Sequence, residues 1–111
     1  MRVLQKDGSS REVLEGDILY FSNFRNTVFV HTKEGEFILP TTLFELFRAH
    51  KCKGFEFLDR GNVVNLNNIE SYDPERKIVY FNQDTQQFAT VSLANEPLLM
   101  QYLASLNNKI R

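Results

Sequence analysis

The chain has 111 residues, is 42% hydrophobic and contains ten Phe. That is the length of one domain with enough apolar material for a single core, which excludes a disordered chain. Thirteen Lys and Arg against fourteen Asp and Glu leave a net charge of −1, so a polyanion would have to be met by cations gathered on one edge rather than by bulk positive charge.

No apolar run approaches the roughly 20 residues of a membrane span. The opening MRVLQKDGSSRE lacks the hydrophobic region of a signal peptide, so a cytoplasmic location without a membrane partner is expected. Cys52 is the one cysteine, which excludes a disulfide or a Cys-based metal site; flanked by Lys51 and Lys53, it reads as a bystander thiol.

In chain order, Val3-Leu4 and Val13-Leu14 flank a turn over Lys6-Asp7-Gly8-Ser9-Ser10, predicting an N-terminal hairpin over about residues 1–15. Ile18-Leu19-Tyr20-Phe21 is a near-continuous apolar run, as in a strand buried on both faces. After Asn23-Phe24-Arg25-Asn26, the alternation of Val28, Val30 and Thr32 predicts the return strand of a second hairpin tipped by Arg25 and Asn26. Lys33 to Glu36 form another tight turn, and Phe37-Ile38-Leu39 a third strand. His31 has no partner His, Cys or paired carboxylate at ligand spacing, which argues against a metal or catalytic role.

Pro40 ends this sheet segment, and Thr41-Thr42 can cap a helix over TTLFELFRAHK whose Leu43, Leu46 and Phe47 share one face. Phe55 to Asp73 then predicts two strands flanking a polar loop, Asp59-Arg60-Gly61-Asn62, followed by backbone-turning Asn65, Asn67 and Asn68. Arg60 carries a fork-shaped cation, Gly61 a permissive backbone and Asn62 an amide, a combination suited to phosphates or base edges. Asp73-Pro74-Glu75-Arg76 reads as a turn, IVYFN as a strand, Gln83 to Gln87 as a polar loop and FATVS as the partner strand. A C-terminal helix is predicted over about 95–107, with Asn95 as cap, Pro97 in the first turn, and Leu98, Leu99, Tyr102, Leu103 and Leu106 at helical spacing. The sum is a mainly β domain with two short helices.

Residues 55–69 resemble the LytTR-type (LytR/AlgR family) DNA-binding domain of bacterial response regulators. Members carry F-x-R-x-H-R-S-Y-hydrophobic-V-N-x-x-x-I, matched here by Phe55, Arg60, Val63, Val64, Asn65 and Ile69. Phe57, Asp59, Gly61 and Asn62 depart from it, standing for Arg, His, Ser and Tyr. The resemblance extends from about Gly16 to Leu106 and includes Ile18, Tyr20 and Phe21, with Ser22 where Glu is usual. Ser92-Leu93 replaces a basic pair after the last strand.

The resemblance implies an elongated arrangement of small antiparallel sheets over residues 1–111 as a single domain. It also implies double-stranded DNA as partner, met by inter-strand loops that enter successive major grooves and bend the duplex. Asn26 and Arg60 then fall at base contacts and Ser92 at a third, while Arg25, Asn62 and Lys77 become phosphate or secondary contacts. Tandem direct repeats, possible self-association on DNA and a role in transcription regulation within two-component systems follow from the same likeness. Neither the receiver domain nor the membrane segment that usually precedes such domains is in this chain.

No catalytic constellation or cofactor motif stands out, so an enzyme is not expected. The competing expectation is a protein-interaction or dimerisation module on the same fold. It draws on the net negative charge, on the cation lost at Ser92-Leu93 and on Asp59 beside Arg60 as a neutralising ion pair; an exposed Leu98-Leu99-Tyr102 patch would favour it.

Overall fold

The computed structural model describes residues 1–82 and 87–110, with side chains described as far as Leu106. The strands are β1 (Arg2–Leu4), β2 (Ser10–Glu12), β3 (Ile18–Phe24), β4 (Thr27–Thr32), β5 (Gly35–Leu39), β6 (Phe55–Asp59), β7 (Asn62–Asn65), β8 (Ser71–Asp73), β9 (Ile78–Tyr80) and β10 (Phe88–Thr90). Helix α1 (Leu43–His50) lies between β5 and β6, and α2 (Glu96–Ile110) ends the chain. The polar loop expected over Gln83–Gln87 falls, except for Gln87, outside the described residues.

All pairings are antiparallel. A 7-stranded sheet runs β2-β1-β5-β4-β3-β7-β6, and a 3-stranded sheet runs β10-β9-β8. The molecule is elongated, 44 × 27 × 25 Å along its principal axes.

Two apolar clusters sit on opposite faces of the large sheet. Val3, Ile18, Phe21, Val28, Val30, Phe37, Phe55 and Val63 pack with Leu43 and Leu46 of α1. On the other face, Leu19, Leu58, Val64 and Leu66 pack against Val79, Phe81, Ala89 and Val91 of the small sheet and its exit, and against Leu99 of α2. Strict two-residue alternation could not place Ile18 and Phe21 on one side. The register shift between Ile18 and Tyr20 does so, turning Leu19 to the opposite cluster. In β6 plain alternation already sends Phe55 and Leu58 to different clusters, and the register shift between Glu56 and Asp59 lies within the same strand.

The turns are held by side chains. Thr42 caps α1 by accepting from the Glu45 N–H at 3.2 Å. The Asn-rich segment after β7 is a junction as well as a turn. Asn65 Nδ2 donates to the Ile18 carbonyl at 3.0 Å, Asn67 Nδ2 to Lys53 at 2.9 Å, and Asn68 Nδ2 to both Gly16 and Ile18 at 2.9 Å. Gly54 is fixed by the same junction: it has φ 93°, and a Cβ there would meet Asn67 Nδ2 at 2.8 Å.

Two details differ from the sequence expectation. The N-terminal hairpin returns earlier than Val13-Leu14, because Gln5 N–H donates to the Ser9 carbonyl at 2.8 Å and closes the turn, so the polar Ser10–Glu12 pairs with β1. Val13 packs against the core edge instead, and Leu14 is exposed. At the start of α2 the capping hydroxyl belongs to Ser92, whose Oγ accepts from the Asn95 N–H at 3.3 Å, while Asn95 supplies its carbonyl to Leu99 N–H.

Candidate nucleic-acid interface

Three chain reversals gather at one end of the strands. Ser22 of β3 pairs with Asn62 of β7, so the β3–β4 turn (Arg25-Asn26) and the β6–β7 turn (Arg60-Gly61) point the same way. A Cβ placed on Gly61 would lie 3.5 Å from Asn23 Oδ1, a measure of how close these hairpins stand. The β10–α2 connection joins from the far side of β6, where Ser92 N–H donates to the Leu58 carbonyl at 2.8 Å. Thr90 Oγ donates to Asp59 Oδ2 at 2.6 Å in the same corner. The edge therefore presents Arg25 and Asn26, then Arg60, then Ser92.

Arg25 and Asn26 are exposed at a two-residue turn. Arg25 has φ 58°, a left-handed conformation that glycine or asparagine adopts more readily, so the turn holds an arginine where the backbone disfavours one. Its guanidinium lies 5.3 Å from the Phe24 ring centroid. Arg60 is exposed at the next turn. The Asp59 carboxylate is spent otherwise: Oδ1 accepts from the Arg60 backbone N–H at 2.7 Å and Oδ2 from Thr90. Among the described residues no ion pair involves Arg25 or Arg60. The neutralising Asp59–Arg60 pair considered from sequence does not form.

Two of the sequence-selected contacts are engaged within the protein. Asn62 is 5% exposed. Its Oδ1 accepts from Leu58 N–H at 3.3 Å and its Nδ2 donates to the Thr90 carbonyl at 2.9 Å, so the amide faces the protein and not the open edge. Lys77 leaves the β8–β9 turn with φ 57° and places Nζ 3.0 Å from Glu96 Oε2, while its carbonyl accepts from Val91 N–H at 2.9 Å. Tyr72 Oη also donates to Glu96, at 2.5 Å. Those bonds hold the Glu96 carboxyl below the usual carboxylate range, with the Tyr72 bond the larger cause and Lys77 next. The Tyr72 phenol is pushed up to about 12, first by burial and then by Glu96. Lys77 thus clamps the first turn of α2 to the small sheet, and its charge is already matched.

Ser92 is half-buried, and its hydroxyl accepts from Asn95 N–H, leaving its own O–H proton for another acceptor. The apolar patch proposed on α2 is broken up. Leu99 is fully buried and Tyr102 packs against the same cluster, leaving Leu98 and Met100 exposed.

One polar chain was not anticipated. Ser22 Oγ and His31 Nε2 are 2.7 Å apart, His31 Nδ1 is 3.2 Å from Glu36 Oε2, and the imidazole stacks on Tyr20 with ring centroids 4.0 Å apart. Only the register of three adjacent strands brings these groups together. Ser22 lies inside a strand paired on both sides, where amides serve the ladder instead of converging on an oxyanion. Burial holds the His31 imidazole below its usual pKa, and the nearby Glu36 pulls weakly the other way.

Guanidinium, amide and hydroxyl groups are thus carried on turns at one edge of the β-scaffold, side-chain types that suit an anionic, hydrogen-bonding partner. The chain belongs to the LytTr DNA-binding domain family, whose sequence profile matches residues 10–104. This is a DNA-binding family, not a catalytic one. Among solved structures, the chain is similar to the LytTr DNA-binding domain of a protein described as a methyl-accepting/DNA response regulator from Bacillus cereus. The identity is 18%, the TM-score 0.77, and the match covers 93% of this chain and 94% of that one. No curated protein matches the chain. Among the described residues no helix is long and apolar enough to cross a membrane.

Proposed function

We propose that the chain binds double-stranded DNA sequence-specifically, and regulates transcription, through the β3–β4, β6–β7 and β10–α2 loops. The observation that supports this most directly is that Arg25 and Arg60 stand exposed on neighbouring turns of one edge, with no acidic partner among the described residues. Arg60 offers a guanidinium fork matched to guanine O6 and N7, and Asn26 an amide matched to adenine N6 and N7. Arg25 supplies a phosphate contact that sets position, and Ser92 a hydroxyl at the third loop. Asn62 and Lys77 act behind this surface, holding its loops in place. Tandem direct repeats occupied by two copies, a cytoplasmic setting and a place in a two-component system belong to the same reading.

The test is selection of binding sites from a random duplex library at low salt, followed by salt titration on the best sequence. Enrichment of a repeated motif is expected, with log affinity falling linearly with log salt at a slope of about 0.9 per phosphate contact. A library with no enriched sequence at low salt would overturn the proposal. With Asp59 committed to Arg60 N–H and Thr90, the interaction-module reading loses the ion pair among its supports, and with Leu99 buried the patch that would favour it is interrupted.

A further inference from the structure

Two large apolar side chains are exposed at positions where the proposed DNA surface is otherwise polar. Phe24 is 64% exposed and immediately precedes Arg25-Asn26; Leu93 is 75% exposed and immediately follows Ser92. The other large hydrophobics with comparable exposure, such as Leu14, Phe44 and Met100, are not next to a residue of the three-loop edge. Phe24 ends β3 opposite Thr27, and the Arg25 guanidinium lies toward its ring, so a cation and an apolar surface are offered together. Leu93 lies in the turn between the β10 exit and α2, just after the Ser92 amide that is anchored to Leu58.

We propose that Phe24 and Leu93 read the C5-methyl groups of thymines in the major groove, one at each outer loop of the interface, on either side of the base read by Arg60. The inference rests on the DNA-binding reading above and adds to it a second kind of readout. Neither side chain has a polar atom to bond a base edge or a phosphate, and thymine is the base that shows a methyl group in the major groove. Neighbouring Arg25 and Ser92 bring each loop to the backbone or base edges, and the apolar side chain beside them discriminates thymine from cytosine at the adjacent step. It also supplies selectivity that does not depend on net charge, in a chain whose net charge is −1.

The experiment takes the best duplex from the selection and replaces its thymines one at a time by deoxyuridine, which removes the methyl and keeps the base pairing. Each variant duplex is titrated with the wild-type chain and with Phe24→Ala and Leu93→Ala. The wild type should lose about fourfold in affinity at one or two positions, the worth of one buried carbon. Phe24→Ala should abolish the loss at one of these positions and Leu93→Ala at the other. Wild-type binding that is specific yet indifferent to every deoxyuridine would overturn the methyl readout while leaving the DNA reading intact. Equal deoxyuridine penalties in wild type and both variants would overturn the assignment to these residues. A library without an enriched duplex would overturn both readings.

Discussion

Asn62 Nδ2 donates to the Thr90 carbonyl at 2.9 Å, joining the hairpin that carries Arg60 to the strand that leads to Ser92. The amide is 5% exposed and its Oδ1 accepts from Leu58 N–H, so truncation leaves buried groups without partners. Asn62→Ala is expected to destabilise the fold by about 1–3 kcal/mol. Urea unfolding measures this directly, and an unchanged midpoint would show that the amide does not hold the two loops together.

Arg60 gives the opposite expectation. Its side chain is exposed and makes no ion pair among the described residues, so Arg60→Ala should leave stability within about 0.5 kcal/mol. DNA affinity should fall by about 1–3 kcal/mol, with preference lost at one base pair. Anisotropy titrations against the selected duplex and its single-base variants separate the outcomes. An equal loss on every sequence would make Arg60 a phosphate contact.

What could be read from the sequence followed how locally each feature is encoded. The alternation of Val28, Val30 and Thr32 emerged as the buried positions of β4, and Thr42 as the α1 cap, because period and capping need only a few neighbouring residues. The register shift in β3 does not show, since a strand that feeds two cores looks like one continuous apolar run. The buried role of Asn62 does not show either: its residue type and its place beside Arg60 suit a phosphate or secondary contact, and its partner Thr90 lies 28 positions away. The Lys77 ion pair is equally silent in the sequence, Glu96 being 19 positions on. Arg25, Asn26 and Arg60 face outward because a two-residue turn leaves its side chains little else to do.

Arg25 separates local strain from function. Its φ of 58° is uphill for an arginine, so Arg25→Gly should raise stability by about 1 kcal/mol while removing a phosphate contact. Thermal melts should shift upward. The salt slope of DNA binding should shrink by about 1, with base preference unchanged. A variant that melts lower would mean that the stacking of Arg25 on Phe24 outweighs the backbone strain.

His31 should make the fold sensitive to mild acid. Burial disfavours its charged form, so the folded chain binds its proton less readily than the unfolded chain, whose imidazole titrates near 6.5. Between the depressed folded pKa and 6.5 the unfolded state holds more protons, and stability therefore rises with pH across that window and is lost as pH falls through it. The groups facing the imidazole are the Tyr20 ring, the Ser22 hydroxyl and the Glu36 carboxylate. Glu36 favours the charged imidazole, so Glu36→Gln should lower the His31 pKa further and steepen the loss, whereas His31→Gln should flatten it. Urea midpoints for the three chains between about pH 5 and 7 test this, and parallel profiles would show that His31 does not set the acid limit of the domain.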